Sequence, residues 1–258
     1  MEASDYHELY KRLDPSNIQS LSKYYGVQEA VLTIILHQKI VRDVRRHSQE
    51  IKKNSHLIKN PWEDGEEILS ISKKLNFPPT LIASILLKEF SFSDKGRKRA
   101  LKDPSNINDL RLRSEVVAAL KEDEIYSPSA HRIQFARGKF GESIINNWLI
   151  ERRIAFKPEA ASRGTGIKTP DFVLEDTMTI DDRSVNWIES KASFGDEELH
   201  KYYIKKQYSS CLNMFGEGMI IYWYGFIKII EEIEPRLFIV DHNFFPESNT
   251  DGLFKGKL

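Results

Sequence analysis

The sequence predicts an α+β or α/β protein, with an all-helical N-terminal region (residues 1–126) and a C-terminal mixed sheet flanked by helices (residues 127–258). Two observations carry this prediction. The N-terminal half contains two repeats with helical periodicity, at about residues 17–47 and 66–90. The C-terminal half contains short apolar runs bounded by turn-forming residues, which are typical of strands. A hydrophobic fraction of 40% in 258 residues suffices for two compact domains, or for one domain with a helical extension.

The repeat has an offset of 50 residues. Ser20–Val27 aligns without gaps on Ser70–Phe77. Gly26 and Asn76 fall at equivalent positions, and both residue types tolerate the left-handed backbone that ends a helix. Each copy therefore predicts a helix, a tight turn and a second helix. The residues alone leave two functions open, namely a helix placed in a DNA groove and a helical hairpin that packs or binds protein.

The elements after the repeats follow in a definite order. Ser127-Pro128 is a typical helix start, and the domain boundary is predicted there. The segment 137–150 has helical periodicity, and Glu142 lies in its first predicted turn, where the helix dipole favours a carboxylate. Other helices are predicted at 114–121 and 199–215, and strands at 154–156, 219–224 and 237–240.

Two strand-like segments carry a cluster of charged residues. Asp171 lies in the apolar segment 169–174, and Trp187–Lys191 contains Glu189 and Lys191, two residues apart and therefore on one strand face. Buried charges of this kind cost free energy unless they are compensated. A divalent metal would compensate them, since carboxylate oxygens favour Mg²⁺ or Mn²⁺, and a nearby lysine can orient or help to deprotonate an attacking water. A surface ion pair is the alternative, which the apolar context disfavours.

The longer strings around these residues resemble the TPD-motif family, which has animal and archaeal members. The strings are Lys168–Phe172, Trp187–Glu197 and Ile221–Phe226. The family pattern is a pair of helix-turn-helix units followed by a nuclease core, and the resemblance covers nearly the whole chain. The order of a helix with Glu142, a strand with Asp171 and a strand with Glu-x-Lys also resembles the PD-(D/E)xK nuclease superfamily.

This resemblance implies a restriction-endonuclease-like sheet, related in fold to archaeal Holliday-junction resolvases. It implies a Mg²⁺- or Mn²⁺-dependent nuclease acting on nucleic acid, with DNA favoured and a preference for particular DNA structures left open. The implied catalytic residues are Glu142, Asp171, Glu189, Lys191 and, from the following helix, Gln207. The implied metal ligands are Asp171, Glu189, the backbone carbonyl of Ser190, and Glu142. The alternative is a non-catalytic DNA-binding or scaffold protein built on a nuclease fold.

The charge distribution favours the N-terminal half as the nucleic-acid-binding part. The chain as a whole has no net charge. Residues 1–137 carry 23 Lys and Arg against 19 Asp and Glu, a net charge of +4, whereas residues 138–258 have a net charge of −4. Positive charge can contact phosphates, although solvated surface charge is the simpler interpretation. The candidate nucleic-acid-binding residues are Arg42, Arg45, Arg46, Lys95, Arg97, Lys98 and Arg99, with Arg163 and Lys168 beside the metal site.

Other features limit the class of protein. Cys211 is the single cysteine, so an intrachain disulfide is excluded, and a reducing intracellular compartment is expected. This means the cytoplasm in a prokaryote, or the nucleus and cytoplasm in a eukaryote. No apolar run is long enough to cross a membrane, and the seven histidines lack zinc-ligand spacing. A homodimer is left open, and a codanin-like protein partner is expected only if the source is an animal.

Overall fold

The computed structural model describes residues 1–158 and 169–253. It confirms the predicted class, because a helical N-terminal region precedes a mixed five-stranded sheet with flanking helices. The helices are α1 (Ala3–Arg12), α2 (Ile18–Tyr25), α3 (Glu29–Lys53), α4 (His56–Glu63), α5 (Ile68–Leu75), α6 (Pro79–Glu89), α7 (Asp94–Lys102), α8 (Leu110–Glu122), α9 (Pro128–Glu151), α10 (Glu197–Tyr203), α11 (Ser209–Phe215) and α12 (Glu247–Thr250). The strands are β1 (Phe156–Pro158), β2 (Phe172–Ile180), β3 (Arg183–Lys191), β4 (Gly218–Tyr222) and β5 (Leu237–Asp241).

The strands lie in sequence order across the sheet. β1, β2 and β3 pair antiparallel, whereas β3, β4 and β5 pair parallel. Asp181 and Asp182 form the tight turn between β2 and β3 with φ values of 47° and 62°, a left-handed conformation that aspartate tolerates. A parallel pair needs a crossover, which α10, a π-helical turn (Ile204–Tyr208) and α11 provide between β3 and β4.

Both repeats form the predicted helix, tight turn and helix. Gly26 ends α2 with a φ of 64°, and Asn76 ends α5 with a φ of 46°. In each copy the residue after the turn donates its backbone N–H to an equivalent serine carbonyl, that of Ser22 at 3.2 Å and that of Ser72 at 3.1 Å. The repeat is therefore conserved within the chain down to the hydrogen bonds that end its first helix.

The second helix of the second repeat, α6, is buried nearly all round. Its buried residues are Thr80, Ile82, Ala83, Ile85, Leu86 and Leu87. It packs against α4, α5, α7 and α8 in one apolar core. A helix that enters a DNA groove must present a solvent-facing side. Little of α6 is free to enter a DNA groove, so the alternative, a hairpin that packs, describes this copy better, and DNA binding by the repeats stays a prediction.

The contacts divide the chain into two compact units, Met1–Leu36 with Ala136–Leu258, and His37–Phe135. The predicted segments 1–126 and 127–258 place the division elsewhere. The first helix explains the difference, because it packs on the unit that contains the sheet. The Tyr6 hydroxyl donates to the Asp196 carboxylate at 3.1 Å, and the Tyr6 ring stacks on Phe194 with 5.4 Å between centroids.

The helix that carries Glu142 starts earlier than its periodicity indicated. α9 begins at Pro128, and the Ser127 hydroxyl accepts the N–H of Ala130 at 3.1 Å as its N-terminal cap. Glu142 therefore lies in the middle of α9, and the helix-dipole argument for its position is wrong. No helix within residues 1–158 and 169–253 combines the length and apolar character needed to cross a membrane.

Candidate active site

Asp171 and Glu189 are linked to each other where β2 begins. The backbone N–H of Asp171 donates to Oε2 of Glu189 at 3.1 Å. In return, the backbone N–H of Ser190 donates to Oδ2 of Asp171 at 2.7 Å. Glu189 is buried, with 3% of its surface exposed, whereas Asp171 is half-buried. Two carboxyl groups predicted to be neighbours are thus held side by side by main-chain hydrogen bonds.

The two carboxyl groups repel each other in a poorly hydrated position. Burial, and then the charge of Glu189, raise the pKa of Asp171 to about 7. Burial also raises the pKa of Glu189, although Lys191 acts in the opposite direction. Both groups therefore bind protons more readily than ordinary carboxylates, as expected for two neighbouring carboxyl groups in a poorly hydrated position.

Lys191 forms an ion pair with Oε1 of Glu189. Burial acts to lower the pKa of Lys191, but the adjacent Glu189 carboxylate outweighs this effect and the pKa is raised. The ammonium nitrogen also lies 4.5 Å from the centroid of the Tyr203 ring, a cation–π distance. A lysine held in its charged form can donate hydrogen bonds, which favours orienting the attacking water over helping to deprotonate it; both roles stay predictions.

The crossover after β3 places further side chains over the same sheet face. Its π-helical turn contains Gln207, which donates from Nε2 to the carbonyl oxygen of Thr169 at 3.3 Å and hydrogen-bonds Glu189. Tyr203 lies immediately before this turn. Widened turns of this kind often occur at functional sites. The sequence analysis named Gln207 as a site residue. It did not identify the π-helical turn or the contact of Tyr203 with Lys191, because neither has a local sequence pattern.

Glu142 lies near the pair without joining it directly. It forms an ion pair with Lys139 at 2.5 Å, and its charge contributes to the raised pKa of Asp171. Within the described ranges, no three His, Cys, Asp or Glu side chains are grouped closely enough to hold a metal ion. A direct bond from Glu142 to a metal shared with Asp171 and Glu189 is therefore not supported.

Ser190 points to the opposite face of β3, where α9 packs. Its hydroxyl accepts the indole N–H of Trp223 at 2.8 Å, and Trp223 is fully buried. Gly141 of α9 lies directly against this indole, since a Cβ added there would be 2.2 Å from Nε1 of Trp223. The missing side chain lets α9 pack closely against the indole of Trp223, which in turn bonds Ser190, the residue between Glu189 and Lys191. Trp223 therefore belongs to the packed core on this side of the sheet.

Residues 108–244 match the family model described as a protein of unknown function with the TPD sequence motif. The match covers more than half of the chain and includes Thr169-Pro170-Asp171. The chain belongs to this TPD family. The predicted family resemblance is thereby confirmed, and Asp171, the last residue of the triplet, is one of the two linked carboxylates. No solved structure matches the chain.

Several vertebrate proteins named CDAN1-interacting nuclease 1 are similar to this TPD-family chain. The Bos taurus protein is 34% identical over 187 residues, which are 69% of this chain and 66% of the relative. The Homo sapiens protein is 34% identical over 172 residues, covering 64% and 61%. The Xenopus tropicalis protein is 36% identical over 189 residues, covering 70% and 62%. The chain thus spans slightly less than two thirds of these relatives' length.

The predicted nucleic-acid-binding residues of the TPD protein differ in exposure. Arg42 is buried with 8% exposed, which contradicts a role in phosphate contact. Arg97 is half-buried and bonds to Ser84, so it anchors its helix. The exposed members are Arg45, Arg46, Lys95, Lys98 and Arg99, of which Arg46 pairs with Asp43 at 3.6 Å. Arg163 and Lys168 lie outside the described residues.

A buried histidine lies under the candidate site of the TPD protein. His200 of α10 is fully buried, and its Nδ1 is 3.0 Å from the Tyr222 hydroxyl. Burial lowers the pKa of His200 to about 4 from an ordinary 6.5. Because the unfolded chain binds a proton at His200 near pH 6.5 and the folded chain does not, this residue's contribution to stability is lost as the pH falls from 6.5 towards 4.

We therefore expect His200 to reduce the free energy of unfolding by about 1.3 kcal/mol between pH 7.5 and pH 5.5. Asp171 acts in the opposite direction, because its raised pKa makes the folded state bind a proton first. The measurement is therefore a difference, comparing urea unfolding of the wild type and His200→Gln at both pH values. The stability difference between the two proteins should shift by that amount. An equal difference at both pH values would show that His200 is not kept neutral by burial.

Proposed function

We propose that this TPD-family protein is a metal-dependent nuclease of the PD-(D/E)xK type that hydrolyses phosphodiester bonds in nucleic acid, with DNA as the expected substrate. The observation that carries the proposal is the linked pair of Asp171 and Glu189 carboxyl groups, beside one half-buried cation, Lys191, which forms an ion pair with Glu189. The name of the vertebrate relatives, CDAN1-interacting nuclease 1, supports the same reaction class.

Mg²⁺ or Mn²⁺ fits this pair in charge and in ligand chemistry. Two ionised carboxylates would face a single ammonium group, and a hard divalent cation would offset the burial and the repulsion that together raise the pKa of Asp171. Asp171 and Glu189 would hold the ion, with the Ser190 carbonyl as a further oxygen donor and Glu142 acting through water. When bound, such an ion supplies stabilisation of negative charge on the scissile phosphate and on the leaving oxygen.

The side chains around the pair would orient the reactants. Lys191, in its charged form, would donate a hydrogen bond that holds the attacking water. The ring of Tyr203 restrains the ammonium group from one side. Gln207 bonds both Glu189 and the Thr169 carbonyl, so it would fix the carboxylate relative to the strand that carries Asp171. Such fixed positions contribute to catalysis by removing reorganisation at the moment of reaction.

The partners of the protein are also proposals. The relatives' name states an interaction with CDAN1, and a partner of that kind is proposed here only for an animal source. Homodimer formation is proposed as the arrangement to test if branched DNA is the preferred substrate, because symmetric oligomers present two equivalent sites. Neither proposal changes the roles proposed for Asp171 and Glu189 as metal ligands and for Lys191 as a hydrogen-bond donor.

Cleavage of a substrate panel tests the proposed function. The panel contains linear, flapped, branched and single-stranded DNA, and single-stranded RNA, each incubated with Mg²⁺ and with EDTA. We expect cleavage of at least one DNA substrate with Mg²⁺ and none with EDTA. Asp171→Asn, which keeps the shape of the side chain, controls for contaminating nucleases and should be inactive. Absence of cleavage across the panel would favour a non-catalytic scaffold built on the same fold.

A further inference from the structure

Helix α7 presents four basic side chains on one exposed face. They are Lys95, Lys98, Arg99 and Lys102. Their spacing of three, four and seven residues from the first places them on one side of a helix. The face extends over roughly 10 Å, at about 1.5 Å per residue. Among the described residues, none of the four takes part in a salt bridge.

The opposite side of α7 fixes the helix to its unit. The Ser93 hydroxyl caps its start by accepting the N–H of Gly96 at 3.1 Å. Ala100 is fully buried. The Arg97 guanidinium donates to the backbone and side-chain oxygens of Ser84, at 3.4 and 3.3 Å, and pairs with Asp94. Of the basic residues of α7, Arg97 therefore anchors the helix, whereas Lys95, Lys98, Arg99 and Lys102 do not contribute to that anchoring.

The exposed face opposes folding rather than helping it. Like charges three or four residues apart on a helix destabilise it, and this face contains four such pairs. The chain as a whole has no net charge, so the cluster is not a consequence of a generally basic composition. A concentrated, fixed row of Lys and Arg side chains is suited to a ligand with repeated negative charges.

We propose that this face of α7, rather than the buried helix α6, binds the phosphodiester backbone of nucleic acid without reading base sequence. The identity of the ligand rests on the proposed nuclease function. An anionic membrane is less suitable, because membrane-surface helices insert apolar side chains. The apolar residues of α7, Ala100 and Leu101, are buried and half-buried on the folded side. Arginine and lysine contacts to phosphate give affinity but carry no sequence information.

The test measures binding separately from cleavage. Full-length protein is titrated into a fluorescein-labelled DNA duplex in EDTA, at 50 to 200 mM salt, and followed by anisotropy. The test variant replaces the four residues by glutamine, K95Q/K98Q/R99Q/K102Q. A matched control removes the same charge from scattered exposed lysines, K11Q/K23Q/K73Q/K121Q. Thermal unfolding checks the fold of both variants, and the test variant should be at least as stable as the wild type.

We expect the test variant to bind at least about 10-fold more weakly at 100 mM salt, whereas the control should change less than about 3-fold. The magnitude of the slope of log affinity against log salt should fall by about 2 to 4, because each phosphate contact that is lost removes about 0.9 from the slope and the variant removes four basic side chains. Binding to vesicles with 30% phosphatidylserine is measured in parallel and should be weak for all three proteins.

Three results would overturn the assignment of α7. They are equal weakening by the test and control variants, wild-type protein that does not bind DNA at 50 mM salt, and a loss restricted to vesicle binding. Because these measurements use EDTA, they are independent of the cleavage panel. Binding through α7 without any cleavage would reject the nuclease proposal alone, and cleavage without a role for α7 would reject this inference alone.

Discussion

Lys191→Ala is expected to reduce cleavage by at least about 100-fold while changing DNA affinity less than about 3-fold, because a fixed donor near the reacting groups acts mainly in the transition state. The lysine is held in its charged form by Glu189 and by the ring of Tyr203. Single-turnover cleavage with saturating protein measures the cleavage rate, and anisotropy in EDTA measures the DNA affinity.

The fold of this variant requires its own control. Removing Lys191 leaves the buried Glu189 without its partner, and the loss of one member of a buried ion pair is destabilising. Rates are therefore compared well below the unfolding temperature of each protein, with Lys191→Arg as the variant that keeps the charge. Cleavage by Lys191→Ala at the wild-type rate would contradict the role given to this lysine.

Gly141→Ala is expected to reduce the free energy of unfolding by about 1 to 2 kcal/mol, even though alanine favours helices. The added Cβ would lie 2.2 Å from Nε1 of Trp223. The indole cannot move aside easily, because it is fully buried and donates to the Ser190 hydroxyl at 2.8 Å. The steric cost should therefore exceed the gain of about 1 kcal/mol from replacing glycine within a helix.

Gly138→Ala is the matched control on the same helix. A Cβ at Gly138 meets no atom within 4 Å, so this variant should be more stable than the wild type by about 0.5 to 1 kcal/mol. Urea unfolding of the two variants measures both values. Gly141→Ala should also slow cleavage, because its neighbour Trp223 bonds the residue between Glu189 and Lys191. Stabilisation by both substitutions would show that α9 does not depend on this close approach.

Local sequence signals predicted much of the fold and the centre of the site. Alternating apolar residues located β2 and β3, and the turn positions Gly26 and Asn76 ended helices as expected. Glu189 and Lys191 share a face because they lie two residues apart on one strand. The pairing of β2 with β3 then places Asp171 beside Glu189. These features depend on a few neighbouring residues, and a single sequence contains that information.

Features that depend on packing between distant segments could not be predicted in this way. α6 has the sequence of a helix-turn-helix element, but its burial is set by four surrounding helices. Arg42 has the charge of a phosphate-binding residue and lies buried. Gly141 and Trp223 are far apart in the chain, and the residues next to either of them do not predict their contact.

The central claim is that Asp171 and Glu189 together hold a divalent metal ion. Titration with Mn²⁺, followed by the electron paramagnetic resonance signal of the free ion, tests it in the absence of DNA. The wild type should bind Mn²⁺, Lys191→Ala should retain that binding, and Asp171→Asn should lose at least about 10-fold in affinity because it loses a charged oxygen ligand. Mn²⁺ binding of equal affinity by the wild type and Asp171→Asn would contradict the metal site, as would a wild type that binds no Mn²⁺.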